Sequence, residues 1–123
     1  MNKLRILIFT FSVLCSLKCV KKNSSNVLSG NHRGVVLRSI CCQDVILSLD
    51  GDTLGQDTWI DSGQTPNVIY HNVFKVSNPC QFTAHDGDTI SFKVLSLTPV
   101  QTCACCMLFT YTPREAYPVQ IVR

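Results

Sequence analysis

The chain has 123 residues, of which 46% are hydrophobic, and it carries eight cysteines. That length supports one domain with a small core. The formal charge of +3 traces to Lys3, Arg5 and Lys18, because residues 20–123 balance eight Lys or Arg against eight Asp or Glu. A neutral body lacks the basic stripe that displaces counterions from a phosphate backbone, which excludes a nucleic-acid partner.

The opening MNKLRILIFTFSVLCSLKC has a basic start (Lys3, Arg5), then a mostly apolar run over residues 6–17, then small residues. This is the layout of a secretory signal peptide. A membrane span needs about 20 apolar residues, and Lys18 closes this run sooner. Residues 1–19 are therefore expected to be a signal, cleaved between 15 and 19, with no stable membrane span. The mature chain is expected in the endoplasmic reticulum lumen or outside the cell. Cys15 and Cys19 lie in or beside the signal. The remaining six, Cys41, Cys42, Cys80, Cys103, Cys105 and Cys106, read as a disulfide framework in an oxidising compartment. A retained Cys19 would leave an odd thiol able to link a homodimer.

Residues 20–34 are polar and turn-rich, a flexible lead-in. Within them Asn23-Ser24-Ser25 fits an N-glycosylation acceptor at Asn23. Residues 35–123 read as a single β domain. VVLRSICC is β-branched and apolar. DVILSL places Val45, Leu47 and Leu49 on one face by alternation. Asp50-Gly51-Asp52-Thr53 follows, and the same tetrapeptide recurs at Asp86-Gly87-Asp88-Thr89; both read as hairpin tips. The sole tryptophan, Trp59, sits between acids in QDTWID, as a core anchor or as an exposed contact residue. NVIYHNVFKV puts Val68, Tyr70, Phe74 and Val76 on one face, interrupted by Asn72. TISFKV turns Ile90, Phe92 and Val94 inward and Ser91 and Lys93 outward. CCMLFTYT and YPVQIV complete six or seven short strands, and the final one is expected to dock rather than trail. The pattern predicts an all-β, Ig-like antiparallel sandwich stapled by disulfides.

Catalytic signals are thin. There is no Gly-X-Ser-X-Gly elbow, no His-Glu-X-X-His and no phosphate-binding loop. His32, His71 and His85 are scattered, and cysteine catalysis needs a thiolate that a disulfide framework removes. The chain is expected not to be an enzyme; the alternative, a small secreted hydrolase, would use Asp86 or Asp88 with a second carboxylate. Calcium binding on a C2-like sandwich is another alternative, through Asp50, Asp52, Asp57, Asp86 and Asp88. With the Asp-Gly repeats read as turns, neither a metal nor a cofactor is expected. The cluster Cys103-Ala104-Cys105-Cys106 lacks the paired Cys-X-X-Cys knuckles of a four-cysteine zinc site. Along an extended strand Cys103 and Cys105 would face one side and Cys106 the other. The simplest arrangement sends Cys41, Cys42 and Cys80 to partners among these three, with the pairing open.

The late part of the chain resembles the small Ig-like accessory proteins of coronaviruses. The resemblance rests on TPNVIYHNVFKVSNPC, on PCQ at Pro79–Gln81, and on an ending with Cys106, Phe109, Tyr111 and YPVQIV. It covers about the last 60 residues. The dense cluster at Cys103, Cys105 and Cys106 and the long interval from Cys80 to Cys103 depart from that family, so no disulfide map or binding residue is carried over. The resemblance implies a secreted or lumenal viral protein that engages host proteins of the immune system. The residues themselves point to a module whose partners are host or other extracellular proteins.

Overall fold

The computed structural model describes residues 29–50, 54, 55, 57–107 and 110–123, excluding the Asp57 side chain. The signal segment with Cys15 and Cys19, Asn23, and Asp52 lie outside the described residues. In chain order the strands are β1 (His32–Ile40), β2 (Gln43–Ser48), β3 (Asp57–Asp61), β4 (Val68–Val76), β5 (Thr89–Val94), β6 (Ala116–Tyr117) and β7 (Val119–Val122), with one 3-10 turn at Pro79–Gln81. Among the described residues no helix is long and apolar enough to cross a membrane.

The strands form one sheet in the order β3-β4-β2-β1-β5-β7, and β6 adds to β4. All pairings are antiparallel except β4 with β6. Pro118 separates β6 from β7, so one C-terminal run pairs first with β4 and then with β5. The sheet thereby rolls on itself into a sandwich-like body, and the all-β, antiparallel, disulfide-stapled fold expected from the sequence is the one adopted. The docked final strand is also present.

Inside the roll lie Val36, Ile46, Leu54, Phe74, Val76, Ala84, Ile90, Phe92 and Val119. Phe74 packs against Phe92 and meets Tyr117 edge-on, with ring centroids 5.7 and 5.4 Å away. Gly34 is required here, since a Cβ on it would come within 2.5 Å of the Ile46 side chain. β5 alternates as its sequence predicts, with Ile90 and Phe92 buried and Ser91 and Lys93 exposed.

Closure depends on one buried side chain. Lys75 N–H donates to the Glu115 carbonyl and Ser77 N–H to that of Tyr117. Asn78 continues this zip with its amide, accepting from Val119 N–H at 2.7 Å and donating to the Val119 carbonyl at 2.8 Å. Asn78 thus acts as one more strand residue on the edge of β7.

Several expectations are corrected. Cys41 and Cys42 do not continue a strand: they form a two-residue turn between paired Ile40 and Gln43, with φ of 53° and 64°. Left-handed φ at both central positions is what a tight hairpin needs, a role more often filled by Asn-Gly. β1 starts at His32, inside the expected lead-in, because His32 pairs with Phe92 and its buried ring packs beside the Phe92 ring. DTWID, not counted as a strand, forms β3. CCMLFTYT, counted as one, does not: no described residue between Val94 and Ala116 is in a strand.

Two bulges overturn the simple alternation. In β1 the register slips between Val36 and Arg38, so Leu37 and Arg38 both turn to the outer face. In β4, Asn72 has φ of 58°, and three steps from Val73 to Tyr70 oppose two from Asp57 to Trp59. Tyr70 therefore lies on the face opposite Phe74 and Val76. Gly55, at φ of 72°, presses against the Asn72 backbone, where a Cβ would sit 2.7 Å from its carbonyl oxygen. β2 is covered on both sides, with Ile46 inward, Val45 and Leu47 outward, and Leu49 half exposed. Neither Asp-Gly repeat is a hairpin tip, since β2 does not pair with β3 and β4 does not pair with β5; Asp86-Gly87 is a turn, and Gly51 and Thr53 lie outside the described residues.

Asn78→Ala should cost about 2–4 kcal/mol in urea unfolding, because it leaves both backbone groups of Val119 buried without partners. A loss below about 0.5 kcal/mol would show that closure does not depend on it.

Candidate functional site

The two bulges build a second cluster on the outside of the sheet. Val45, Trp59 and Val73 are buried there, with Leu37, Leu47 and Tyr70 packed against them. Trp59 is 3% exposed, which gives it the core position, and it stacks on Tyr70 at 5.9 Å. Its indole N–H donates to the Tyr111 carbonyl at 2.9 Å. Arg38 lies 4.7 Å over the indole ring and donates to Asp61 Oδ1 at 2.9 Å. The same guanidinium reaches Thr110 Oγ1 and the Tyr111 carbonyl at 3.3 and 3.5 Å. A cation over an indole and an ion pair in one place make Arg38 the clasp for the segment approaching β6.

Asp61 is held from three sides. Burial pushes its carboxyl up, but donation from the Gln64 amide, Gly63 N–H and Arg38 outweighs that and holds it below the ordinary carboxylate range. Gln64 also donates to the Tyr70 hydroxyl at 3.1 Å. Asp44, near the far end of β1, is the opposite case. Burial pushes it up against the opposing hydrogen bond from Ser39, and the charge of Asp86 adds to the rise.

The cysteines pair as Cys41–Cys106, Cys42–Cys105 and Cys80–Cys103. All six are thus joined in the sense expected, between the early group and the late cluster. The first two bridges tie the β1-β2 turn to the late segment, and the third ties the 3-10 turn to the same segment. Cys42 Sγ and Cys103 Sγ are 4.0 Å apart across two bridges. With Cys105 they are the only gathering of three metal-ligating groups among the described residues, and as disulfides they offer no thiolate to a cation.

Between β3 and the late segment lies a groove of about 590 Å³. Thr58, Trp59 and Ile60 form one wall, and Tyr111, buried Pro113 and Arg114 the other. Among the described residues β3 pairs only with β4, and its other edge faces the groove here. Ile60 pairs across the strand with Ile69, and both are exposed, at 50% and 57%. Tyr111 is 84% exposed. Arg114 is exposed and has no ion-pair partner among the described residues.

Of the acids weighed for calcium or hydrolysis, Asp50 lies apart from Asp86, whereas Asp86 lies near Asp44. Asp50 accepts from His32 Nδ1 and Arg33 N–H at one end of β1. Asp86 accepts from Ser39 N–H at the other end, and Asp88 accepts from His85 N–H. Arg33 and Ser39 are six residues apart, roughly 20 Å along a strand, so Asp50 cannot share one ion with Asp86. His71 is exposed and shares a hydrogen bond with Thr58. His32 Nε2 is buried with no hydrogen-bond partner among the described residues.

Sequence reasoning missed Arg38, Asp61 and Arg114. The signal for the first was present: a lone cation inside the apolar run VVLRSI needs a carboxylate, and Asp61 two residues past Trp59 supplies it. Compared with protein-family models, with curated proteins and with solved structures, the chain matches none.

Two outcomes follow from linkage. Below 3.8 the unfolded chain binds more protons at Asp61 than the folded one, so stability falls as pH drops through that window. Above 3.8 the folded chain keeps the Asp44 proton longer, so stability falls as pH rises to its raised value. Asp61→Asn should flatten the acid limb and lower stability near about pH 7, whereas Asp44→Asn should raise it there, both read from urea midpoints. The opposite order of the two variants would refute the assignment.

The bridges should also be unequal. Loops of 65 and 23 residues are worth about 4 and about 3 kcal/mol in chain entropy. Cys42–Cys105 lies one residue inside Cys41–Cys106 and closes almost no new loop. Replacing Cys42 and Cys105 with Ser should cost under about 1.5 kcal/mol, and replacing Cys80 and Cys103 about 3. Equal losses would mean that the bridges act through the folded state instead.

Proposed function

We propose that the chain is a secreted or lumenal, disulfide-stabilised, non-catalytic module that binds another protein through β3 and the groove beside it. The observation that carries this reading is the exposed Ile60–Ile69 pair next to an open strand edge. Apolar side chains clustered on a rigid surface mark interaction sites in small soluble domains. Three disulfides suit an oxidising compartment. The distance between Asp50 and Asp86 speaks against a calcium site that uses both. A viral protein acting on host immune components is the narrower form of the proposal, and it draws on the resemblance of the late segment alone.

A photo-crosslinking residue placed at Ile60 or Ile69, in chain expressed through the secretory pathway, tests the reading. Lys93, exposed on β5, is the control position. A discrete adduct with another protein from Ile60 and Ile69 but not from Lys93 is expected. Adducts that are equal at all three positions, or absent from the first two, would refute the binding surface.

A further inference from the structure

We propose that the groove beside β3 accepts an extended segment of another protein, which pairs with the β3 edge as an additional strand and sets an acidic side chain against Arg114. This rests on the binding-module reading and names the chemistry of its partner. The two ends of the sheet differ. On β7, the Asn78 amide pairs with both backbone groups of Val119, which guards the start of that edge. On β3, Thr58 and Ile60 line open space, the strand has no Pro, and its one described acid, Asp61, is turned to Arg38 rather than into the groove. Strand addition of this kind draws affinity from main-chain hydrogen bonds and specificity from alternate side chains.

The charge on the groove selects the sign of the partner. Arg38 is neutralised by Asp61 at 2.9 Å, so it offers nothing to a ligand. Glu115, next to Arg114, accepts from the Tyr117 hydroxyl. Among the described lining residues Arg114 is the one charged group, and no described residue forms an ion pair with it. Trp59, Ile60, Tyr111 and Pro113 give the walls their apolar surface, with the hydroxyls of Thr58, Ser62 and Thr112 between them. A segment of about five residues, near 17 Å when extended, matches β3 in length. An apolar residue on it meets Ile60 or Tyr111, and a carboxylate meets the guanidinium.

The test uses the full secreted chain, isotope-labelled, and two arrays of ten-residue peptides alternating Val or Thr with either Asp and Glu or Lys. Acidic peptides should shift the backbone amides of Thr58, Ile60 and Ser62, and should bind more tightly than the Lys series. Arg114→Glu, on an exposed side chain, should change the acidic-to-basic preference by about tenfold, reversing it. Equal binding of both series, or an unchanged preference in Arg114→Glu, would overturn the proposal. So would amide shifts in β3 that appear without peptide as concentration rises, since a second copy would then occupy the edge. If neither series perturbs β3 while crosslinks from Ile60 persist, the strand-addition inference fails and the binding module stands. Loss of both ends both.

Discussion

Everything on the outer face depends on how a segment without a strand ladder is held down. The described residues between Val94 and Ala116 form no strand, so backbone pairing cannot place them, and each ordered residue costs about 1–2 kcal/mol of conformational entropy. Three covalent bridges supply the order instead, two of them side by side on the β1-β2 turn. That turn is itself an awkward one for its sequence. Cys41 and Cys42 both adopt left-handed φ, which non-glycine residues resist by about 1 kcal/mol or more. A turn of Asn-Gly would be easier to form, yet it could not carry the bridges. The local conflict is resolved by the tertiary bond.

Once the segment is fixed, the remaining contacts are positional. Trp59 donates to the Tyr111 carbonyl and Arg38 spans the indole, Asp61 and Thr110. Arg38 reaches them only because the bulge at Leu37 turns it outward; in an unbroken register it would point into the core beside Val36 or displace Leu37. The bulge at Asn72 does the same for Tyr70, completing the stack under Trp59. Bulges re-aim side chains at the cost of a ladder bond, and here two of them convert a one-faced sheet into a two-faced one. The apolar residues of β2 follow from this: Val45, Ile46 and Leu47 form a continuous run because both sides of the strand are covered.

The sequence made the fold class legible but not these devices. β5 alternates without interruption and reads correctly residue by residue. The docked final strand was legible from the β-branched run after Pro118, and the division of cysteines into an early and a late group was legible from their spacing. Period-2 reasoning failed where the period itself breaks, at Leu37 and Asn72, and Asn72 alone gave a local hint because Asn tolerates left-handed φ. CCMLFTYT misled because its described apolar residues face outward, Met107 and Tyr111 among them, and bridges at Cys105 and Cys106 hold it in place of a strand ladder. β3 was missed for the converse reason: Asp57 and Asp61 flank Trp59 and look like loop acids, whereas Asp61 is buried in the Arg38 pair.

The site was less legible than the fold because it depends on an asymmetry between the two ends of the sheet. Rolling the sheet closed brings β6 to the C-terminal half of β4, beyond the point where β3 begins. β3 and β6 therefore share one edge of β4 in succession, at Asp57–Asp61 opposite residues 68–73 and at Ala116–Tyr117 opposite residues 75 and 76. The chain arriving at β6 must pass β3 without pairing to it, and the Arg38 and Trp59 contacts hold it at a side chain's distance. That separation is the groove. It exists because the same segment cannot pair with β4 and with the outer edge of β3 at once, so closure of one edge of the sheet leaves the other open.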